Sequence, residues 1–187
     1  MVLIGVCVVT LIGIRVFSPE DTRIWDKGIA PSLLASHTTS MKIITDFIDN
    51  GMIPSVYTCD GDSHFPSLTI EDFPTDTKSF VLIVDDPDAP TGIWNHLLLA
   101  NIPVPEDTHL TISQETFSLA LLGQNSRWDQ ARWAPCPPSG THRYIFRLYA
   151  LSDMLDLSAW FSKERLLELM WDKIIDKTQL VGLYKRQ

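Results

Sequence analysis

The feature that most constrains the fold is a short apolar run that ends in acidic residues. Residues 80–84 are five consecutive apolar residues, and an Asp-Asp-Pro sequence follows them directly. A run of this length between such flanks is too short for a helix and is typical of a strand buried on both faces. Residues 96–102 ("HLLLANI") repeat the pattern. Two such strands in succession predict a sheet that is covered on both sides.

Three further segments read as strands. The sequence from Met41 ("MKIITDF") and residues 119–123 predict short strands, and residues 143–151 ("RYIFRLYAL") predict a longer one. In the last segment, successive side chains alternate between two faces, and Arg147 marks the face that we expect to be more polar.

One helix is predicted near the C-terminus. Ser162 is a good N-cap for residues 163–176, and the apolar residues within this segment recur at helical spacing. That apolar stripe consists of Leu166, Leu169, Met170 and Ile174. A further helical turn is predicted near Ser152. The elements do not alternate as strand and helix, so the sequence predicts a mainly β fold rather than a parallel Rossmann sheet.

Composition excludes some classes of protein. The chain has 187 residues, of which 45% are hydrophobic, enough for one domain with a real core. A formal net charge of -8 disfavours binding to nucleic acid, although a local pocket can still attract a small anion. The cysteines at 7, 59 and 136 form no CxxC pair, which favours a reducing, cytoplasmic location. A Cys59–Cys136 disulfide remains an alternative.

Residues 1–40 differ from the rest of the chain. An apolar stretch of about 13 residues near the N-terminus is shorter than the ~20 that span a bilayer. Three interpretations remain: an export signal or membrane anchor through residues 2–17, a buried extension, or an overextended gene start. We favour the last, with Met41 as the first residue of a domain that covers residues 41–187.

Acidic residues and a histidine mark the ends of the two central strands. Asp85, Asp86 and Asp88 are interleaved with prolines, a composition that tight turns also use. An antiparallel return of the chain would bring His96 beside these carboxylates. Because a nearby carboxylate stabilises a protonated imidazole, this arrangement predicts a site for an anionic or polar ligand.

A second candidate segment is "APCPPSGTHRYIF", residues 134–146. Its three prolines predict a rigid wall, and His142 and Tyr144 share one face of the strand that follows. Two histidines and two aspartates could also ligate zinc or iron, but no HExxH pattern supports a metal site. Ser139 and Cys136 lie near His142 in the sequence, yet no G-x-S-x-G motif indicates a hydrolase.

Taken together, these motifs resemble the phosphatidylethanolamine-binding protein family, and in particular its bacterial and archaeal Raf kinase inhibitor-like branch. The resemblance covers roughly Met41 to Gln187 and rests on the combination of motifs rather than on any single one. The matching sequences are "YTCDGD", "LIVDDPDAP", "WNH" with "ANIP", "PCPPSGTHRYIFRLYAL" and "LVGLYKR". The resemblance implies an antiparallel β-sandwich, with a large central sheet, a smaller sheet and a C-terminal helix.

The resemblance also implies a function. Family members hold a small pocket that accepts phosphate, acetate or a phosphorylated head group such as phosphoethanolamine. By motif position, its ligand-binding residues are Asp86, Asp88, His96, His142 and Tyr144, with Pro135 and Pro137 on the rim. We therefore expect a non-enzymatic binding protein without a cofactor or metal. One alternative is a kinase or protease inhibitor that uses the surface around this pocket. A less favoured alternative is a hydrolase or metal enzyme. A homodimer is compatible with each of these functions.

One departure from the family pattern affects the pocket. Trp133 and Ala134 stand where family members commonly carry two glycines before the Pro-Cys-Pro-Pro sequence. Glycine reaches backbone conformations that Trp and Ala avoid, and it has no side chain. The substitution therefore predicts either a narrower pocket mouth or a different backbone path.

Overall fold

The computed structural model describes residues 41–106, 109–130 and 133–187. The three interpretations of residues 1–40 therefore lie outside the described residues. Within the described ranges, no helix is long and apolar enough to cross a bilayer. The elements in chain order are β1 (Lys42–Ile44), β2 (Gly51–Met52), β3 (Leu68–Glu71), β4 (Ser79–Asp86), β5 (Trp94–Ile102), β6 (Leu110–Ile112), β7 (Leu121–Leu122), β8 (His142–Leu151), α1 (Lys163–Met170) and β9 (Ile174–Tyr184).

The strands form two sheets. The larger sheet has the order β2-β9-β8-β4-β5-β7, and the smaller has the order β1-β3-β6. Neighbouring strands run antiparallel, except that β2 runs parallel to β9. The long strands β4, β5 and β8 lie at the centre of the larger sheet, where both of their faces can be buried.

Two separate cores cover the two faces of the larger sheet. Phe80, Leu82 and Val84 of β4 point into the core between the two sheets, where the side chains of β3 and β6 meet them. Val81 and Ile83 point the other way, into a core beneath α1. The predicted β-sandwich with a C-terminal helix is confirmed, since one core lies between the two sheets and the other lies beneath α1. The continuous apolar run of β4 supplies side chains to both cores.

The predicted helix is shorter than its periodicity indicates. It begins after the Ser162 N-cap but ends at Met170, and the 3-10 turn Trp171–Lys173 leads into β9. Ile174 therefore belongs to a strand, which pairs with β8 along almost its whole length. Although Ile174 has the spacing of a helical residue, the backbone pairing of β9 with β8 determines its conformation. Tertiary contacts thus override the local helix propensity.

The helical turn predicted near Ser152 is also wrong. The backbone N–H of Leu155 donates to the side-chain oxygen of Asn101, and the Asn101 amide donates to the Leu155 carbonyl. This two-way pairing holds the segment against β5 without a helical hydrogen-bond pattern. It also places Leu155 in the core beneath α1.

The second face of β8 is less polar than predicted. Tyr149 on that face is buried in the core beneath α1, and Arg147 is mostly covered and bound to Asp85. The small sheet contains two strands, β3 and β6, that were not predicted. Both are short segments in which apolar residues alternate with threonine, a pattern too brief to separate from a loop.

Candidate functional site

A β-bulge between β4 and β5 positions the first candidate residue. Val84 lies opposite Leu97 and Asp85 lies opposite Asn95, so His96 is an extra residue without a partner on β4. Such bulges re-aim side chains and are common next to functional sites. As a result, His96 points to the same face as Leu97, towards the core between the sheets, whereas Asn95 points to the opposite face.

This bulge opens onto a cavity of about 760 Å³, which we call the major cavity. Its walls come from the ends of β4, β5 and β8 and from the loops beside them. The lining residues are Cys59, Ser63, Asp86, Ala89, Pro90, Thr91, Trp94, His96, Arg127, Trp133, Ala134, Cys136, Pro137, Pro138 and Tyr144. Of the predicted site residues, Asp86, His96, Pro137 and Tyr144 therefore line one cavity.

Asp86 is held by two donors. One of its carboxylate oxygens lies 2.7 Å from Nδ1 of His142, and both side chains are buried. The other oxygen accepts a hydrogen bond from the backbone N–H of Asp88 at 2.8 Å. His142 thus lies behind Asp86 rather than on the cavity wall, and the pair fixes the orientation of the carboxylate.

Asp88 does not line the cavity. Its carboxylate accepts hydrogen bonds from the backbone N–H and the guanidinium of Arg143, at 2.6–2.9 Å. The Arg143 guanidinium holds the pKa of Asp88 below its usual value. Asp88 therefore clamps the turn after β4 to the start of β8, and so keeps Asp86 in place.

His96 has a lowered pKa. Burial disfavours its charged form and outweighs the nearby Asp86 carboxylate and a hydrogen bond with the Trp133 main chain, which both favour the charge. The carboxylates thus raise the pKa of this histidine as expected, but burial has the larger effect, and the net shift is downward. Its neutral ring packs edge-on against Tyr144, with ring centroids 5.2 Å apart.

The Tyr144 hydroxyl is buried, and its oxygen has no hydrogen-bond partner among the described residues. The backbone N–H of Cys136 approaches this oxygen but does not reach hydrogen-bond geometry. Burial, with a contribution from Asp86, raises the pKa of Tyr144, so the hydroxyl keeps its proton. It is thus an uncommitted donor and acceptor in the cavity wall.

Trp133 does not close the cavity. Its side chain is buried against Phe65 and Phe146, and its indole N–H donates to the backbone carbonyls of Ser63 and His64. The indole is thereby drawn into the core, and Ala134 adds only a methyl group to the wall. The cavity is present beside Trp133 and Ala134, which both line it, because the larger side chain has its own packing site.

A disulfide joins two walls of the major cavity. Cys59 and Cys136, which both line it, are bonded, with their Cα atoms 5.4 Å apart. The backbone N–H of Cys59 also donates to the carbonyl of Pro135 at 3.0 Å. Pro135 itself is buried and does not line the cavity. Disulfides are typical of oxidising compartments, and the predicted cytoplasmic location stays a prediction.

Several lining residues were not predicted. The most consequential is Arg127, an exposed cation at the cavity, which lies in the loop between β7 and β8. Trp94 and Pro138 add rigid apolar surface. Arg127 stands in a loop without secondary-structure pattern, and the sequence signals only that it is a cation in an acidic chain. Within the described ranges, no group of three or more His, Cys, Asp or Glu side chains is placed to hold a metal ion.

Comparison with known proteins decides the family. The family model described as phosphatidylethanolamine-binding protein matches residues 43–185. The chain belongs to this family. The resemblance inferred from the motifs is thus confirmed, and the match covers both sheets and the major cavity.

Relatives and solved structures agree with this assignment. A UPF0098 protein of Methanothermobacter thermautotrophicus is 44% identical over 144 residues, which are 75% of this chain and 95% of that protein. A crystal structure of a phosphatidylethanolamine-binding protein homologue from Chlamydia trachomatis has a TM-score of 0.73 at 35% identity, covering 79% of this chain and 99% of that one. Escherichia coli YbcL, described as a new member of the mammalian family, has a TM-score of 0.69 at 25% identity, covering 80% and 100%.

Proposed function

We propose that the protein binds a small anion, a phosphate-bearing or carboxylate molecule, in the major cavity and performs no catalysis. The observation that carries this proposal is the uncommitted Tyr144 hydroxyl. A buried hydroxyl without a partner is costly, and a ligand oxygen at the cavity wall would supply the missing hydrogen bond. His96 and Arg127 line the same cavity and provide a ring nitrogen and a cation for the same anion.

The Asp86 carboxylate does not argue against an anionic ligand. Each of its oxygens already accepts a hydrogen bond, one from His142 and one from the backbone of Asp88. Its charge is therefore partly offset before a ligand enters. Arg127 adds a formal positive charge at the exposed side of the cavity, where it can attract an anion from solution.

His96 should couple anion binding to proton uptake. The imidazole is kept neutral by burial, and a bound anion would favour its protonated form. Anion affinity should then rise as the pH falls below 6.5, the ordinary pKa of histidine. Sulfate is a suitable probe for this dependence because its own charge stays constant over this range.

The test is a calorimetric titration of the full chain with phosphate, phosphoethanolamine and sulfate. Tyr144→Phe removes only the hydroxyl, so we expect weaker binding by about tenfold, the effect of one lost hydrogen bond to a charged group. Folding should not suffer, since the hydroxyl has no partner to lose.

Two results would contradict the proposal. One is the absence of saturable binding of all three anions, which would favour the interpretation as a kinase or protease inhibitor. The other is unchanged affinity in Tyr144→Phe, which would place the anion elsewhere. Turnover of a phosphate ester by the wild-type chain would contradict the non-catalytic part of the proposal.

A further inference from the structure

A second cavity lies on the opposite face of the large sheet, at the same end as the major cavity. Its volume is about 330 Å³, and we call it the minor cavity. The bulge explains its position, because Asn95 points to one face of β5 and His96 to the other. The lining residues are Ile93, Asn95, Gln124, Asn125, Ser126, Trp128, Ser162, Lys163 and Glu164.

The observation that points to a ligand is the state of Asn95. Its side chain is 7% exposed, and neither the amide nitrogen nor the carbonyl oxygen has a partner among the described residues. Its backbone, by contrast, is fully paired, since it exchanges two hydrogen bonds with Ser126. A buried amide that lacks both of its hydrogen-bonding functions is rare, and it calls for a partner that supplies a donor and an acceptor.

Trp128 provides a second, independent observation. Its side chain is 78% exposed, and its φ of 61° lies in the left-handed region that non-glycine residues rarely adopt. The Asn125 side chain holds this conformation by accepting hydrogen bonds from the backbone N–H groups of Arg127 and Asp129. The loop thus keeps a large aromatic ring in solvent at the edge of the minor cavity.

The charges around the minor cavity favour an uncharged ligand. Lys163 contacts both oxygens of the buried Asp85, and Arg147 binds the same carboxylate. Glu164 places a second carboxylate on the cavity wall. Two cations are therefore balanced by two carboxylates, and no excess charge remains to attract a phosphate.

The remaining polar groups suit a ligand with many hydroxyls. Gln124 carries an amide, and Ser126 and Ser162 carry hydroxyls. Each of these two serine oxygens accepts a backbone N–H, so its own hydrogen can be donated to a ligand. One aromatic face beside several neutral hydrogen-bonding groups matches a sugar ring, which has an apolar face and a hydroxyl rim.

We propose that the minor cavity binds a neutral sugar, one monosaccharide ring stacked on Trp128 and hydrogen-bonded to Asn95. The volume is at the lower end of the range for small-molecule sites and accommodates one ring rather than a chain. This site does not depend on the function proposed for the major cavity, because the two cavities lie on opposite faces of the sheet.

The experiment is an NMR titration of the full chain with N-acetylglucosamine, methyl glucoside and, as a neutral planar competitor, adenosine. The indole N–H signal of Trp128, assigned with Trp128→Ala, should shift saturably with a sugar. The variants Trp128→Ala and Asn95→Leu should weaken binding by about tenfold or more. Trp160→Ala is the matched control: Trp160 is 54% exposed, has a φ of 69° and lies outside the cavity.

Thermal unfolding keeps the result interpretable. Asn95→Leu conserves volume and removes an unpaired amide, so the variant should be at least as stable as the wild type while losing the sugar. Three outcomes overturn the proposal: no saturable shift with either sugar, a shift with adenosine alone, or equal loss of binding in Trp160→Ala. A destabilised Asn95→Leu that still binds sugar would overturn the role of Asn95.

Discussion

Two adjacent aspartates at the end of β4 have opposite surroundings. Asp86 faces the major cavity, where His142 binds one of its oxygens. Asp85 faces the core beneath α1, where Arg147 and Lys163 together enclose its carboxylate. Successive side chains of a strand point to opposite faces of the sheet. The Asp86 carboxylate therefore faces an open cavity, whereas the Asp85 carboxylate is enclosed in a buried ionic cluster.

The difference shows how one sheet end can serve two purposes. On the Asp85 side, both cations bind the same carboxylate and tie α1 to the sheet, so the cluster is structural. On the Asp86 side, the Tyr144 hydroxyl has no partner within the described residues, and the exposed Arg127 lines the cavity. The first arrangement predicts an effect of mutation on stability, and the second predicts an effect on binding.

The largest expected effect comes from the disulfide, which only the Asp86 side possesses. Cys59 and Cys136 are 77 residues apart, and a cross-link over such a loop stabilises a protein by roughly 4–5 kcal/mol. The double variant Cys59→Ser/Cys136→Ser should lower the free energy of unfolding by about that amount. It should also weaken anion binding, because the bond joins two walls of the major cavity.

Denaturant unfolding with and without a thiol reductant measures this effect. Cys7→Ser is the control, since it removes a cysteine but keeps the pair. If the reductant leaves the unfolding midpoint of the wild type unchanged while the thiols are shown to be free, the bond contributes nothing to stability. Sugar binding at the minor cavity should persist in the double variant wherever it stays folded.

The same substitution at the two aspartates should separate structure from function. Asp85→Asn leaves Arg147 and Lys163 without a counter-charge, and we expect a loss of about 2–3 kcal/mol, since both cations are partly exposed and can reach water. Asp86→Asn weakens one hydrogen bond with His142 and should cost about 1–2 kcal/mol. Urea unfolding of both variants gives the comparison.

Anion titrations of Asp85→Asn and Asp86→Asn test whether the two aspartates also differ in their effect on binding. Asp85→Asn should bind sulfate as the wild type does, whereas Asp86→Asn should change the affinity. The opposite order, with Asp86→Asn the more destabilising variant and Asp85→Asn the one that alters binding, would refute the assignment of the two faces.

A smaller effect should appear in the pH dependence of stability. The pKa of His96 is lowered in the folded protein from 6.5, so below pH 6.5 the unfolded chain takes up a proton that the folded chain does not. Stability therefore falls as the pH decreases through this range. His96→Gln should reduce that fall, and sulfate should offset it in the wild type only; identical pH profiles of the melting temperature in both proteins would count against this role.

Local patterns were sufficient to predict much of the fold. The apolar runs of β4 and β5 and the alternation of β8 are signals within single strands, and they place Asp86, His142 and Tyr144 correctly at strand ends. The family resemblance followed from motifs that combine these strand ends with the proline-rich loop. These features are encoded by neighbouring residues, so the sequence alone reveals them.

The remaining features depend on contacts between distant residues. The bulge at His96 exists only in the pairing of β4 with β5, and the end of α1 at Met170 depends on the pairing of β9 with β8. The pKa of His96 likewise depends on burial by the surrounding fold rather than on the nearby aspartates alone. No single segment carries this information, so the sequence indicates the effect of the carboxylates on His96 but not the larger effect of burial.

Substitution of Arg127 should have the smallest effect on stability but a specific effect on anion binding. Its side chain is exposed at the major cavity, so Arg127→Gln should change the free energy of unfolding by no more than about 0.5 kcal/mol. If its guanidinium contacts the bound anion, sulfate affinity should fall by about tenfold. Arg165→Gln is the matched control, because it removes the same charge from the exposed face of α1. An equal loss of affinity in both variants would mean that the net charge of the protein, rather than a contact at the cavity, governs anion binding. In that case, a higher salt concentration would abolish the difference in affinity between each variant and the wild type.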